Sequence, residues 1–278
     1  MVKIVTDSLS DISPEWAKEL GITVVPLNVH FGDSVYKDAV ELPPEEFYKK
    51  LVSSNVHPTT SAPAPGLFME LFTNLAKETK EIIAIMASDK ISAVYESALQ
   101  GKALVKADCR IEVINTRWLI GAEAIPVLQA VEDAKAGANL DQITAKVKKS
   151  LPRLHARMIF DTLEYLKKGG RIGKAQALLG GLLKIHPIIG LKDGEVFPYG
   201  RARNRAQAKD ALINYVKGVP KIERMVVEHA TTPDELEELI VRLSAIVPRE
   251  RIHKSRVGSV IGTHTGPHVL AVCFLEGE

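Results

Sequence analysis

The chain has 278 residues, of which 46% are hydrophobic, 25% charged and 5% aromatic, and its formal net charge is +2. This composition is typical of a folded globular protein and excludes wholesale disorder, and the small net charge provides no general attraction for nucleic acid or an anionic membrane. The two cysteines, Cys109 and Cys273, lie far apart in the sequence, which excludes a disulfide scaffold and a cysteine-based structural zinc site.

Two segments bear on targeting and membrane insertion. The N-terminal sequence MVKIVTDSLSD reaches Asp7 before the apolar region of a secretion signal could develop. Residues 257–275 contain no formally charged residue, yet their middle reads GTHTGPH, which is too polar and too rich in glycine and proline to cross a bilayer as a helix. We therefore expect a cytoplasmic protein without an integral membrane segment.

The first half of the chain alternates short β-branched runs with helical stretches, which predicts an α/β layered domain over residues 1–152. KIVTDS predicts a first strand, and Ser13 as N-cap, Pro14 and Gly21 predict a helix over SPEWAKEL. In chain order there follow a strand over ITVVPLNVHF, a helix over PPEEFYKKL, a proline-rich loop over HPTTSAPAPG, an amphipathic segment over LFMELFTNLAKE, a strand over EIIAIMAS, a helix over SAVYESALQGKALV, a strand over RIEVINT, and helices over residues 116–136 and 140–149.

After Pro152 hairpins are mixed with helices, which predicts a second, α+β domain over residues 153–278. RLHARMIF predicts a strand, and DTLEYLKKGGRIGK a helix that ends at the Gly169-Gly170 pair. KIHPIIGLKDGEVFPYG predicts a hairpin that turns at Asp193-Gly194. The remaining predictions are a helix over residues 204–216, a strand over ERMVVEHA, a helix over PDELEELIVRLSA and two short strands around VGSVIGTHTGPHVLAVCF.

Nucleotide and metal motifs are absent from the sequence. GGRIGKA has the wrong glycine spacing for a phosphate-binding loop, Ala175 follows its lysine, and no G-x-G-x-x-G follows the first strand. His264 and His268 are four residues apart, but Gly266 and Pro267 between them disfavour a regular helix, and the third ligand of a catalytic zinc site is missing nearby. We therefore predict two loop histidines, no metal and no cofactor.

Three polar loops stand where a strand ends or a helix begins. Ligands of open α/β sheets bind at such places, because helix N-termini and hydroxyl groups offer donors to an anion. Each loop, taken alone, is more simply interpreted as an N-cap or a turn. The loops contain Thr6, Asp7 and Ser8; Thr59, Thr60 and Ser61; and Ser92.

Considered together, these loops belong to an ordered set of motifs. The set comprises V-T-D-S at the start, T-S-A-P-A-P near residue 60, S-D-K-I-S-A-V-Y-E-S-A near residue 90, D-T-L-E-Y-L-K-K-G-G-R-I at residues 161–172, K-D-G-E at 192–195 and G-T-H-T-G-P at 262–267. With these motifs the sequence resembles the DegV family of bacterial fatty-acid-binding proteins, from residue 3 to about residue 275. The long string at residues 161–172 is the most specific part of the resemblance.

The resemblance implies a two-domain DegV-like fold that encloses one long-chain fatty acid in a buried tunnel at the domain interface. It also implies a carrier rather than an enzyme, since family members of this kind present the acid to a separate fatty acid kinase, which makes acyl phosphate with ATP. Matched by motif, the carboxylate-binding residues are Thr60, Ser61, Ser92 and His264.

The resemblance assigns further positions around that site. The supporting head-group residues are Asp7, Ser8, Tyr95 and Gly266, and the positions suited to the kinase are Arg171 in G-G-R-I and Arg203 in G-x-A-R. Two departures from the family pattern leave the head-group geometry and the chain preference open. The family's S-G-T-Y reads Ser92-Ala93-Val94-Tyr95 here, and G-P-G reads Gly266-Pro267-His268.

The energetics of burial favour a lipid ligand independently of the resemblance. Each methylene removed from water contributes about 0.8 kcal/mol, so a ~16-carbon chain gives about 11–12 kcal/mol before the entropy of association is subtracted. Apolar residues that could line a tunnel, or equally form ordinary core, are Ile159, Phe160, Leu163, Ile185, Ile188 and Ile189.

Basic residues cluster in KKGGRIGK and in RARNR. Arginine suits bidentate contacts with anions, so these runs form either a docking face for an acidic partner or ATP phosphates, or ordinary solvated surface. Neither run contains aromatic residues, which disfavours binding of single-stranded nucleic acid. The residues concerned are Lys167, Lys168, Arg171, Lys174, Arg201, Arg203 and Arg205.

Two other functions are compatible with the same residues. An acyl hydrolase would use Ser92 as nucleophile, His264 as base and Asp7 to orient the base, although the G-x-S-x-G elbow is missing. A lipid sensor would bind the same ligand and act on a transcription factor or another protein.

Overall fold

A computed structural model describes residues 1–179 and 185–278. Its strands are β1 (Lys3–Asp7), β2 (Ile22–Val25), β3 (Asn28–Phe31), β4 (Ser34–Lys37), β5 (Thr59–Ser61), β6 (Glu81–Met86), β7 (Arg110–Asn115), β8 (Leu154–Ile159), β9 (His186–Lys192), β10 (Glu195–Ala202), β11 (Ile222–His229), β12 (Ile252–Arg256) and β13 (Leu270–Glu276). Its α-helices are α1 (Pro14–Leu20), α2 (Pro44–Ser53), α3 (Pro65–Leu75), α4 (Val94–Leu104), α5 (Ile120–Lys135), α6 (Leu140–Ser150), α7 (Glu164–Lys168), α8 (Arg205–Lys217), α9 (Pro233–Leu243) and α10 (Ser259–Thr265).

The strands form three sheets. A parallel sheet has the order β2-β1-β6-β7, and a small antiparallel sheet has the order β4-β3-β5. The third sheet has six strands in the order β10-β9-β8-β13-β11-β12 and is antiparallel except for the β11–β12 pair. The predicted mixed α/β class is confirmed, and the domain boundary after residue 152 stays a prediction. No helix of the described residues is long and apolar enough to span a membrane.

Elements with strong local signals form where they were predicted. Ser13 caps α1 by accepting from the backbone N–H of Trp16, and Gly21 ends the helix with φ of 75°. Asp193 and Gly194 both have positive φ, 55° and 85°, as a two-residue hairpin turn of this twist requires. Lys184, the first residue of the predicted hairpin, lies outside the described residues.

Several predictions in the first half are wrong. ITVVPLNVHF is two strands in different sheets, β2 and β3, because Pro26 between them has no N–H for a ladder. The proline-rich loop contains β5, which pairs with β3, and β4 was not predicted at all. The helix predicted from residue 116 begins only at Ile120, because Arg117 and Ile120 have positive φ, 59° and 54°.

The second half also departs from the predictions. The helix predicted in DTLEYLKKGGRIGK ends at the Gly169-Gly170 pair as predicted, with φ of 68° at Gly170, but it begins only at Glu164, so α7 is short. The segment after β12 forms the helix α10, which contains His264 and ends at Gly266 with φ of 81°, so the short strand and the loop histidine predicted there are wrong. His268 lies in a turn and the last strand forms as β13, as predicted. The N–H groups at the N-terminus of α10 find their hydrogen-bond acceptors on residues remote in sequence. A local sequence pattern therefore does not reveal this helix.

Helix α5 packs between the two larger sheets. It contacts β1 and β6 of the parallel sheet and β8, β11 and β13 of the six-stranded sheet, and most of its 16 residues are buried. The approach is close at Gly121, where a Cβ atom would lie 2.6 Å from Cβ of Val226 and 3.1 Å from Cβ of Cys273. Glycine is therefore required for α5 to approach β11 and β13 this closely.

Buried carboxylates hold the N-termini of α5 and α10. Glu228 accepts from the N–H of Gly121 at 3.0 Å, Asp11 from Gly258 at 2.9 Å and Asp38 from Ser259 at 3.0 Å. Burial raises the pKa of Glu228 to about 7 and that of Asp38 to about 6. The partners are at least 107 residues apart in sequence, so these bonds join the two halves of the chain while satisfying helix N–H groups that would otherwise be free.

We expect Gly121→Ala to lower the free energy of unfolding by about 1–3 kcal/mol, because the added methyl group overpacks the contact with β11 and β13. The matched control is Gly66→Ala in α3, where a Cβ atom meets nothing within 4 Å. There alanine should leave stability unchanged or raise it by up to ~1 kcal/mol. Urea unfolding of both variants measures the difference, and equal stabilities would contradict the close packing of α5.

Candidate functional site

A largely apolar cavity lies between the two halves of the chain. About 830 Å³ of non-atom space lies between its lining residues, a figure that includes open solvent. The apolar lining includes Leu9, Leu27, Leu119, Ile120, Met158, Phe160, Leu166, Ile189, Leu191, Val196, Val260 and Ile261. The polar lining residues are Thr60, Ser61, Ser92, Arg171, His264 and Thr265.

Thr60 and His264 meet in the wall of this cavity. Thr60 lies on β5 opposite Val29 of β3, and His264 lies in the last turn of α10. The Thr60 Oγ1 and His264 Nε2 atoms are 2.8 Å apart. Burial, together with the positive charge of Arg171, lowers the pKa of His264 to about 4, so its imidazole is neutral at pH 7 and carries one N–H.

The imidazole of His264 lies directly against the backbone of Gly169. A Cβ atom on Gly169 would lie 2.1 Å from Nδ1 of His264, so no side chain fits there while the ring keeps its position. Gly266 is packed in the same way, since a Cβ atom added there would lie 2.5 Å from the ring of Tyr165. Two motifs that are remote in sequence, D-T-L-E-Y-L-K-K-G-G-R-I and H-T-G-P, therefore pack closely against each other at the site.

The two predicted serines line the cavity in different ways. Ser92 lies just before α4, and its Oγ accepts from the N–H of Val94 at 3.3 Å. Ser61 is held by β3, because its Oγ lies 2.8 Å from Nε2 of His30 and 3.3 Å from Nδ2 of Asn28. Ser92, Thr60 and His264 are brought to one cavity as predicted, whereas part of the bonding capacity of Ser61 is taken by β3.

Arg171, which the resemblance assigns to the kinase side, lines the same cavity as Thr60, Ser92 and His264. Its Nη1 donates to the carbonyl of Gly169 at 2.9 Å and its Nε to the carbonyl of Ile91 at 3.3 Å. These two bonds hold the half-buried guanidinium at the cavity wall, whereas the basic run around it had indicated a surface role. Arg203 is exposed and is not among the described lining residues.

The four supporting head-group residues of the sequence prediction, Asp7, Ser8, Tyr95 and Gly266, are not among the described residues that line the cavity. Asp7 accepts from the backbone N–H groups of Leu9 and Ala87, both at 2.9 Å. Ser8 accepts from the N–H of Leu27 at 3.1 Å. The side chains of the V-T-D-S motif are thus used to fix the turn after β1, which carries Leu9 into the cavity wall.

The residues of the alternative hydrolase are not assembled as a triad. Nε2 of His264 is bonded to Thr60 rather than to Ser92. Nδ1 of His264 has no hydrogen-bond partner among the described residues, so no carboxylate orients the ring. Asp7, the predicted orienting residue, is bound to backbone N–H groups instead.

Of the apolar residues considered for a tunnel, Phe160 and Ile189 line the cavity. Ile159 and Ile188 face the opposite side of the six-stranded sheet and pack with residues of α8 and α9. Leu163 and Ile185 are not among the described lining residues. Because neighbouring residues of a strand point to opposite faces, the alternation separates Ile159 from Phe160.

Arg205 and His268 both contact Asp161 at the surface. Arg205 of the second basic run contacts Glu235 at 2.8 Å and Asp161 at 3.2 Å. Nδ1 of His268 lies 2.8 Å from Asp161, so His268 and His264 have different partners. The described residues contain no group of three or more histidine, cysteine, aspartate or glutamate side chains placed to hold a metal ion.

Comparisons with known proteins agree over nearly the whole chain. The family model described as "Uncharacterised protein, DegV family" matches residues 1–277. A DegV domain-containing protein of Caldanaerobacter subterraneus is 37% identical over 278 residues, covering 99% of each chain. A solved DegV family structure from Thermus thermophilus, described by its fatty acid binding, matches with a TM-score of 0.91 and 30% identity, covering 99% of each chain. The Bacillus subtilis DegV structure, described as a fatty acid binding protein, matches with a TM-score of 0.89 and 30% identity, again over 99% of each chain.

We expect nitrogen-detected NMR to show the His264 imidazole neutral down to about pH 5, because its pKa is lowered to about 4 from the ordinary 6.5. Arg171→Gln removes a nearby positive charge and should raise that pKa. Lys167→Gln, an exposed change in the same basic run, is the control and should leave it unchanged. A wild-type titration midpoint near pH 6.5 would contradict the buried position of the ring.

Proposed function

The chain belongs to the DegV family, and from this premise we propose that its cavity binds one long-chain fatty acid. The carboxylate would lie beside Thr60, Ser92 and His264, with the acyl chain against the apolar wall. The observation that carries the proposal is the division of this cavity. Twelve or more apolar residues share the lining with four hydroxyls, one neutral imidazole and one guanidinium, and these two kinds of group match the two parts of a fatty acid.

The apolar wall supplies the affinity. Burial of a ~16-carbon chain contributes about 11–12 kcal/mol before association costs are subtracted. Lining residues from both halves, such as Leu119 and Ile120 at the start of α5 and Phe160 after β8, would surround the chain. A ligand held mainly in this way needs little from its polar end beyond orientation.

The polar end supplies the selection for an ionised acid. Hydroxyls of Thr60 and Ser92 are donors that can rotate toward a carboxylate, and the neutral His264 offers one N–H. Arg171 is the charged residue of the described lining, so a carboxylate gains an attraction that an ester or an alcohol lacks. The low pKa of His264 keeps the imidazole neutral, which leaves Arg171 as the counter-charge.

We further propose that the bound acid is presented to a separate fatty acid kinase, in the cytoplasm and without a cofactor of the carrier's own. The carboxylate oxygen would attack the γ-phosphorus of ATP, the bond from that phosphorus to the β–γ bridging oxygen would break, and ADP would leave with the electron pair. This step needs an oriented carboxylate near solvent and no nucleophile from the carrier. Support comes from the partly open cavity and from a Ser92 that is not activated by His264.

We expect His264→Ala, Thr60→Val and Ser92→Ala each to weaken fatty-acid binding by about 10- to 100-fold, which is the loss of one charge-assisted hydrogen bond. Ser53→Ala, an exposed hydroxyl in α2, serves as the control and should bind like wild type. Titration of delipidated protein with palmitate measures the affinity, and thermal melting checks that the variants are folded. A wild-type protein that takes up no fatty acid would refute the proposed function.

A substitution of Arg203 tests partner docking separately from ligand binding. Because Arg203 is exposed and is not among the described lining residues, Arg203→Glu should leave palmitate affinity unchanged and slow acyl-phosphate formation with the kinase several-fold. Lys106→Glu, an equal change of charge at an exposed loop position, should leave both unchanged. Coupled turnover at several kinase concentrations measures the effect, and normal turnover of Arg203→Glu would remove Arg203 from the docking face.

A further inference from the structure

A second, polar pocket adjoins the cavity beside Arg171, and we call it the vestibule. It is lined by Lys90, Ile91, Gly170, Arg171, Gly173, Lys174, Glu195 and Val196. Ile91, Arg171 and Val196 also line the apolar cavity. The two spaces therefore meet at these three residues, and Arg171 stands between the proposed carboxylate position and the vestibule.

The walls of the vestibule come from both halves of the chain and are fixed by packing. The buried hydroxyl of Ser88 donates to the carbonyl of Gly194 at 2.8 Å, which ties the loop that carries Lys90 to the β9–β10 turn. Space beside that turn is tight, since a Cβ atom on Gly194 would lie 3.2 Å from Cγ of Lys90. Gly173, with φ of 50°, would bring a Cβ atom 2.8 Å from the carbonyl of Val196. The charged groups thus project from a constrained backbone.

The charges of the vestibule do not balance. Lys90, Arg171 and Lys174 are cations and Glu195 is the one acid of the described lining, which gives a net charge of +2 (three minus one). Glu195 lies 3.6 Å from Nζ of Lys174. Lys90 forms no ion pair among the described residues. A fatty-acid carboxylate carries one negative charge, which Arg171 balances. The two lysines and Glu195 leave a further net charge of +1 (two minus one), so the vestibule as a whole matches an anion of higher charge than a carboxylate.

We infer that Lys90 and Lys174 form a phosphoryl subsite, which holds the phosphate of an acyl phosphate while the acyl carbonyl stays beside Thr60 and Ser92. This inference rests on the proposed function, which makes acyl phosphate the product at this site. A phosphate group carries close to two negative charges at pH 7, equal and opposite to the vestibule. Glu195 reduces the positive charge and so weakens the hold on the product.

The test compares two ligands with the same acyl chain, one ending in a carboxylate and the other in a neutral carbonyl followed by a phosphonate. Palmitate probes the acid site, and 2-oxoheptadecylphosphonate replaces the bridging oxygen of palmitoyl phosphate by a methylene and resists hydrolysis. We expect Lys90→Gln and Lys174→Gln each to weaken phosphonate binding roughly five- to tenfold, with palmitate affinity within twofold of wild type. Glu195→Gln should act in the opposite direction and tighten phosphonate binding. Lys167→Gln is the matched control outside the vestibule and should change neither.

The outcomes distinguish the two proposals. A loss of phosphonate affinity but not of palmitate affinity in both lysine variants, together with a gain of phosphonate affinity in Glu195→Gln, supports the subsite. The loss in the lysine variants should shrink as salt is raised. Equal effects of the lysine changes on both ligands, or no effect on the phosphonate, overturn the subsite while leaving fatty-acid binding intact. A wild-type protein that binds neither ligand refutes the proposed function itself. Melting temperatures of the exposed-lysine variants exclude unfolding as the cause.

Discussion

The packing of α5 between the two larger sheets is the constraint on which the rest of the molecule depends. Its close contact with β11 and β13 requires Gly121, and the same residue donates its N–H to the buried Glu228. The two residues just before and at the start of this helix, Leu119 and Ile120, are part of the cavity wall. One helix thus packs against both sheets and supplies part of the cavity wall. The cavity therefore depends on the contact between the two halves of the chain.

Sequence patterns predicted the elements whose signals are local. Ser13 and Gly21 delimit α1 by backbone capping, and Asp193-Gly194 sets the hairpin by its two positive φ angles. The helix α10 was missed because its N-terminus is capped by Asp11 and Asp38, more than two hundred residues earlier in the chain. A glycine-containing segment of seven residues has little helical preference of its own, and its structure here depends on those remote carboxylates.

The candidate site was predicted in part. Thr60, Ser92 and His264 were found through motifs that occur together, and all three line one cavity. The position of Arg171 in the cavity wall was not predicted, because its basic neighbours indicate surface. The bonds that hold its guanidinium go to the carbonyls of Gly169 and Ile91, and no side-chain pattern encodes backbone acceptors. The residue types alone could not assign a role to the side chains of the V-T-D-S motif. Side-chain groups that can bind a ligand can equally bind the backbone of their own turn.

The contact between Gly169 and His264 has a consequence for how this sequence can diverge. Because a methyl group at position 169 would lie 2.1 Å from the imidazole, a substitution there is tolerated only if the ring at position 264 is lost or displaced. The two positions, 95 residues apart, should therefore be epistatic: the same change at 169 is harmful beside histidine and mild beside a small residue. Substitutions in G-G-R-I and in H-T-G-P are thus coupled. A related sequence that has lost the histidine no longer requires glycine at position 169.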